Sequence, residues 1–363
     1  MRLKERIERL LHGLPSRVKV GQRYVGPEEP VFVIAEVGIN HNGEVELAKR
    51  LIDAAKDAGA DAVKFQKRTT EEILTREGLD KPYTSPHAFA PTYGEHRNKL
   101  EFSEDQYQEL KHYAETRDIL FFASVWDQKS VDFMERLGVD AYKIPSADLI
   151  NIPLLEYVAK KDKPVLLSTG MSTLEEIEEA TEAVLRHNNR LIIFHCVSLY
   201  PCPEDKIDLR FMDTLSERFA PLPVGYSGHE IDLLPTVTAV ARNAVVVERH
   251  LTLDKTMKGS DHAASLEPAQ FKELIDFIRR MERIKGKSEK VFYPELQPLR
   301  EKLAKSVIAR VKIPAGTVIT SDMLGIKGPG YGIKPALLNK VVGRVAQADI
   351  EEDSHLPKEA LLW

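Results

Sequence analysis

Between residues 31 and 251, short apolar runs rich in Val, Ile, Phe and Leu recur, most of them separated by stretches with the periodicity of amphipathic helices. The runs occupy residues 31–38, 62–67, 120–126, 141–146, 164–170, 191–197, 223–229 and 245–251. Continuous apolar runs of this length, alternating with helices, mark parallel strands buried on both faces. Eight of them close a barrel, so the pattern predicts an α/β fold of the (β/α)8 TIM-barrel type. An open doubly wound sheet shares the alternation but requires a reversal of strand order. The helices between the runs are legible as well. Residues 44–58 carry Leu47, Leu51, Ile52 and Ala55 on one face and stop at Gly59; residues 103–116 open on Ser103 with acids in the first turn; and Thr173 with Glu176 forms a capping box.

Outside this alternation the pattern changes three times. Residues 1–17 read as a short amphipathic helix packed outside the barrel, within an N-terminal extension and cap at 1–30. Residues 78–99 form a long insertion after the second strand, on the face where a barrel carries its active site. After a helix at 268–284, which completes a barrel domain spanning 31–285, a polar lysine-rich stretch at 286–304 reads as a linker. A small β-rich domain follows at 305–363, with a strand at 306–313, a turn at Pro314, Ala315 and Gly316, and a strand resuming at Val318. Gly328, Gly330 and Gly332 are spaced like a phosphate loop but lack the strand-to-helix setting, and are expected to form a flexible surface loop.

Composition excludes several classes. At 363 residues and 43% apolar content the chain can bury a sizeable core, and its net charge of −5 is spread without runs of one sign, so no nucleic acid or membrane partner is expected. No stretch approaches the length of a membrane span, and the charged N-terminus is not a signal peptide. Cys196 and Cys202, the only cysteines, lack the second pair of a zinc site and sit where a disulfide framework is not expected, which points to a reducing compartment, the cytoplasm.

Candidate chemistry lies at the strand ends. These carry Glu36, Lys64, Gln66, Lys143, Ser146, Ser168, His195, Ser198, Ser227, His229, Glu248 and His250, an unusual density of polar groups on apolar strands. His229 and His250 end neighbouring strands, so their imidazoles can converge on one divalent cation and leave positions open for substrate; alone, either would more often be a hydrogen-bonded core histidine. Lys64 and Lys143 are costly on apolar strands unless they meet an anion, and with the hydroxyls of Ser146, Ser168 and Ser227 they form a cradle for a phosphate and a carboxylate. Glu36 is a general base, an acceptor for a substrate hydroxyl, or the partner of Lys64 in a buried ion pair. Asp261 holds a sugar hydroxyl or a metal-bound water, or caps its loop.

Six segments carry a family resemblance. Residues 34–43 (IAEVGINHNG), 63–66 (VKFQ), 143–146 (KIPS), 167–171 (LSTGM), 225–229 (GYSGH) and 248–250 (ERH) resemble, in order, the sialic acid synthases, and the last residues resemble the antifreeze-like SAF domain of that family. The resemblance implies a condensation that uses phosphoenolpyruvate and depends on Mn2+, or another divalent ion such as Mg2+ or Co2+. It places the metal on His229 and His250, and phosphoenolpyruvate on Lys64, Lys143, Ser146, Ser168 and Ser227. Protons or sugar hydroxyls fall to Glu36 and Asp148, and the sugar site to Gln66, Tyr200 and Asp261. It also implies a homodimer in which each C-terminal domain covers the other subunit's site. At Asp148, Ser198 and Gly228 the chain is similar to the animal-type synthases, which take a 6-phosphorylated sugar, and Arg97, Lys81, His96 and Lys258 are then candidates for the second phosphate. Where bacterial members carry an Arg that contacts the acetamido group, this chain has Gly328. Other products in the same chemistry are legionaminic, pseudaminic or deaminated sialic acid, the last from mannose 6-phosphate. A non-catalytic carbohydrate-binding accessory protein is the remote alternative.

Overall fold

The structure, a computed structural model, describes residues 3–357 and 359. Internal contacts divide the chain into two compact units, Met1–Gly286 and Lys287–Trp363. In the first, a hairpin of β1 (Val18–Val20) and β2 (Arg23–Val25) precedes eight parallel strands: β3 (Phe32–Gly38), β4 (Ala62–Lys67), β5 (Leu120–Val125), β6 (Tyr142–Ile144), β7 (Val165–Ser168), β8 (Leu191–Cys196), β9 (Val224–Gly228) and β10 (Val246–His250). These close into a barrel in sequential order, β10 pairing with β3, as the eight apolar runs predict. Strands covered by helices outside and side chains inside read as unbroken apolar runs, which is why both faces of β3, β8 and β10 are buried.

Helices form where the pattern places them. Val45–Ala58 buries Leu47, Leu51, Ile52 and Ala55 and ends on Gly59 in the left-handed conformation; Glu104–Thr116 and Leu174–Leu185 begin with capping boxes on Ser103 and Thr173. The N-terminal helix Leu3–Leu11 packs outside the barrel on Leu174–Leu185, tied by Arg6 Nε to Glu182 Oε1 at 2.6 Å. Residues 78–99 are more ordered than a plain loop. Helices Arg76–Asp80 and Tyr93–Lys99 are joined through stacked Tyr83, Tyr93 and His96, with Tyr83 4.5 Å from His96, and Thr92 caps the second helix. No described helix is long and apolar enough to cross a membrane.

The second unit corrects two expectations. The strand expected at 306–313 stops at Ala309: β11 (Ser306–Ala309) is buried at every position and pairs antiparallel with β12 (Leu324–Lys327), while Ile313 and Val318 make only isolated bridges to Ile350 and Val345. Gly316, left-handed at φ 82°, donates its N–H to Ala346 and turns the chain away before Val318. The glycine-rich loop is pinned rather than free. Ser306 Oγ donates to the Pro329 carbonyl at 2.7 Å and accepts from Gly332 N at 2.9 Å, and Gly330 N donates to the Glu301 carbonyl at 2.7 Å. Residues 286–304 contain a helix, Gln297–Leu303. This unit has its own core, including Val307, Ile313, Ile319, Leu324 and Ile350.

Candidate active site

The strand register explains the site. Glu36 lies level with Lys64 and with His250, Ser124 with Lys143, and Ser227 with both Cys196 and Glu248. Neighbours in register on parallel strands face the same way, so these polar side chains all reach the barrel interior at its C-terminal end. There they line a cleft of about 270 Å3 with Gln66, Arg68, Arg97, Trp126, Ser146, Ser168, Tyr200, His229 and Asp261. Gly38 makes the packing workable: its φ is 55°, and a Cβ would sit 3.2 Å from Glu36 Oε1 and 3.3 Å from His250.

The floor is a buried square of charges. Lys64 Nζ lies 2.6 Å from Glu36 Oε2 and 3.6 Å from Glu248 Oε1; Lys143 Nζ lies 3.6 Å from the same Glu248 oxygen. Lys64 also donates to Ser124 Oγ at 2.7 Å, Lys143 to Ser168 Oγ at 2.5 Å, and Ser227 Oγ to Glu248 Oε1 at 3.3 Å. Burial works against the Lys64 charge, but Glu248 and Glu36 outweigh it and hold the ammonium above its ordinary value. Burial of Lys143 wins over the attraction of Glu248 and draws it down. Glu248 is held low because Lys143 and Lys64 outweigh its burial, whereas burial raises Glu36 in spite of Lys64. Lys143 is therefore the under-compensated cation, and Glu36 the carboxyl suited to carry a proton. Beside it, Ser146 Oγ accepts from Gly170 N at 2.9 Å. A Cβ on Gly170 would stand 2.3 Å from Ser198 Oγ and 2.9 Å from Ser146 Oγ, so the close approach of this backbone requires glycine.

His229 and His250 face each other with ring centroids 5.5 Å apart, and Tyr200 packs 4.0 Å from His229. His229 Nδ1 is 2.9 Å from the Val197 carbonyl, to which it donates as the neutral tautomer, leaving Nε2 free; burial, then His250, lowers this imidazole to about 3. His250 Nδ1 has no hydrogen-bond partner among the described residues. The neutral His229 imidazole with Nε2 free, beside His250 with Nδ1 free, fits a divalent ion. No group of three or more His, Cys, Asp or Glu among the described residues is arranged to hold a metal. Behind the pair, Arg249 and Glu230 form a fully buried ion pair at 2.8 Å that also takes in Tyr226 and Thr236, fixing the residues next to each histidine.

Most, but not all, of the expected residues meet here. Glu36, Lys64, Gln66, Arg97, Lys143, Ser146, Ser168, Tyr200, Ser227, His229, His250 and Asp261 line the cleft; Asp148 and Lys258 do not. Asp148 sits on the turn Ser146–Asp148 and accepts from Asn151 Nδ2 at 3.0 Å, and Lys258 Nζ lies 5.0 Å over the Phe89 ring. Lys81 and His96 are outside it too: His96 Nδ1 accepts from Phe89 N at 3.2 Å, and burial, Arg97, Arg68 and Lys258 lower it to about 4, so it is neutral. His195 is spent on the Ile207 carbonyl at 2.6 Å. The sequence reading assigned no role to Glu248, although it shares the inward face of β10 with His250, and it passed over Ser124 and Arg68, the latter one residue beyond β4.

Residues 51–290 match the NeuB family and residues 304–362 the SAF domain. The chain is 44% identical to the N-acetylneuraminate-9-phosphate synthase of Homo sapiens, over 93% of this chain and 94% of that protein. It is 36% identical to the N,N'-diacetyllegionaminic acid synthase of Legionella pneumophila, over 88% and 91%. The crystal structure of the N-acetylneuraminic acid (sialic acid) synthetase of Leptospira borgpetersenii superposes with a TM-score of 0.71 at 33% identity, covering 79% of this chain and 96% of that one. With a closed barrel whose charged mouth is built from the segments that carry the resemblance, the chain belongs to the NeuB family and ends in an SAF domain.

Proposed function

We propose that the chain is a sialic acid synthase that condenses phosphoenolpyruvate with N-acetylmannosamine 6-phosphate, or a related hexose phosphate, and releases inorganic phosphate. The observation that carries the reading is the meeting, in one cleft, of two buried lysines backed by serine hydroxyls with two histidines that face each other. Lys143, short of counter-charge, and Lys64 attract the carboxylate and phosphate of the enol, with Ser146, Ser168 and Ser227 as hydroxyl donors. The C3 carbon of the enol bonds to the aldehyde carbon of the sugar, water adds at C2, and the C2–O bond to phosphate breaks. A divalent ion such as Mn2+, held by His229 and His250, would supply Lewis-acid polarisation of the sugar carbonyl. Glu36, raised by burial and 2.6 Å from Lys64, can take or give the proton as phosphate leaves, while Gln66, which donates to Glu36 at 3.0 Å, and Asp261 meet sugar hydroxyls.

Phosphate release from phosphoenolpyruvate tests this directly, with N-acetylmannosamine, its 6-phosphate or mannose 6-phosphate as acceptor, and Mn2+ or EDTA. Release that needs a sugar and stops with EDTA is expected; silence with every acceptor would overturn the reading. A homodimer with exchanged C-terminal domains and a cytoplasmic location belong to the same proposal. The free, buried Cys196 and Cys202 suit a reducing compartment, and a dimer mass by light scattering is expected.

A further inference from the structure

We infer that Arg68 and Arg97 form a subsite for a phosphate monoester on the far end of the sugar acceptor, an inference that rests on the synthase reading above. Arg68 is only 2% exposed and lies over Trp126, 5.4 Å from its ring. Its Nε donates to Glu101 Oε1 at 2.6 Å, but Nη1 and Nη2 have no hydrogen-bond partner among the described residues although both are buried. A guanidinium with idle N–H groups away from water is costly, and its planar fork matches two oxygens of a phosphate. Arg97, on the helix of the 78–99 insertion, lines the same cleft with only Tyr93 OH as hydrogen-bond partner, 2.9 Å from Nε. Burial, then Arg68, draws its guanidinium down, and both arginines line the one cleft.

The counter-charges do not balance. Glu101 is shared between Arg68 and Lys67, at 3.9 Å from the latter, and Asp261 acts on Arg97. Lys67, Arg68 and Arg97 thus outnumber the two carboxylates, and the surplus positive charge favours an anion. Position selects the ligand. Arg68 follows Lys64 by four residues along β4 and its continuation, roughly 13 Å at strand rise, so within the one cleft the arginines stand apart from the lysine floor, at the place where the far end of an extended hexose would lie. The arrangement also gives the ordered 78–99 insertion a purpose: it carries Arg97 to the cleft.

The test compares kcat/KM for N-acetylmannosamine 6-phosphate and for N-acetylmannosamine in the full chain and in Arg68→Met, Arg68→Lys and Arg97→Met. Hydrogen bonds to a charged group predict that Arg68→Met lowers the ratio of the two by about 10- to 150-fold, chiefly through KM for the 6-phosphate. Arg68→Lys, which keeps charge but not the fork, loses less, and the KM for phosphoenolpyruvate stays within a few-fold. An equal loss on both sugars, or no loss on either, would overturn the subsite while leaving the synthase reading intact. Arg97→Met does not strand Glu101 and so decides the matter if Arg68→Met fails to fold. Calorimetric titration with mannose 6-phosphate, mannose and inorganic phosphate needs no turnover. Tighter binding of the phosphosugar that is lost in the variants supports the subsite even if condensation is absent, and equal affinity for both sugars overturns it. Binding of inorganic phosphate without a gain for the phosphosugar also overturns it.

Discussion

Lys143→Met and Glu248→Gln, singly and together, probe the charge square at the barrel mouth. Glu248 Oε1 lies 3.6 Å from both Lys64 and Lys143, and all three groups are buried. At that distance and an effective dielectric constant near 20, each lysine attracts the carboxylate by about 5 kcal/mol, most of which offsets desolvation. Removing one member of a buried pair typically costs 3–5 kcal/mol because a charge is left uncompensated. Lys64 still faces Glu248 in Lys143→Met, and Glu36 still faces Lys64 in Glu248→Gln, so each single change falls at the low end, about 3 kcal/mol. The double variant loses one charge of each sign and keeps the 2.6 Å Lys64–Glu36 pair, so it should cost about 3–4 kcal/mol rather than the sum, a coupling of about 2–3 kcal/mol. Equilibrium urea unfolding of the four proteins at one pH measures the cycle. Additive costs, within about 0.5 kcal/mol, would show that Glu248 is not the shared counter-ion of the two lysines. Lys143→Met should also raise the KM for phosphoenolpyruvate about 10-fold or more, since it removes the cation with least compensation.

Three further outcomes are expected. His229→Ala should abolish EDTA-sensitive phosphate release and weaken Mn2+ binding read by calorimetry, with the fold retained by circular dichroism; unchanged Mn2+ affinity would place the ion elsewhere. Gly170→Ala pushes a methyl to within 2.9 Å of Ser146 Oγ and closer still to Ser198 Oγ, and should raise the KM for phosphoenolpyruvate much more than it lowers thermal stability; equal KM values would remove Ser146 from the enol site. Glu182, hydrogen-bonded by Arg6 and then Arg186, is held at about 2. Its contribution to stability is therefore fully present above the ordinary carboxylate value and is lost as pH falls towards 2, so the gap in urea midpoint between the wild type and Glu182→Gln should shrink from pH 6 to pH 3. A gap independent of pH would exclude the ion pair as its cause.

The barrel was legible because its strands are buried on both faces and its helices are capped by residues with few other uses. The runs at 62–67 and 191–197 sit on β4 and β8 to within one residue, and Thr173 with Glu176 caps as expected. The second unit was harder. In a small domain a strand such as Ser306–Ala309 is buried all round, so period-two alternation carries no information, and the partner of that strand, Leu324–Lys327, is set by contacts distant in sequence. In the site, Lys64, Lys143, His229 and His250 announce themselves by their cost at the strand ends and reach the cleft, whereas His195 on β8 turns to the Ile207 carbonyl. Lys258 and His96 show the limit: charge or an imidazole outside the strands has no strand register to fix its direction, and one ends over Phe89 while the other accepts from a backbone amide. Arg68 escaped because it stands past the apolar run, where a charge usually meets water; here it is buried against Glu101 and Trp126.

Strand β10 shows how the barrel reconciles buried charge with rigidity. Alternate residues point to opposite faces, so Glu248 and His250 enter the cleft while Arg249 turns outward into its pair with Glu230. The outward pair is held by Thr236 and by the Asp232 and Glu230 carbonyls, with Arg249 Nε alone left without a partner among the described residues, which makes it a clamp rather than a reactive group. The inward groups are left partly unsatisfied: Glu248 Oε2 and His250 Nδ1 have no hydrogen-bond partner among the described residues. Folding energy would favour the reverse, with polar demand met everywhere. A strand that anchors its outward side chain through several hydrogen bonds from the two Nη atoms of Arg249, and leaves Glu248 Oε2 and His250 Nδ1 open on the face towards the cleft, directs most of its unmet demand at ligands, and the clamp holds those open positions in place until ligands arrive.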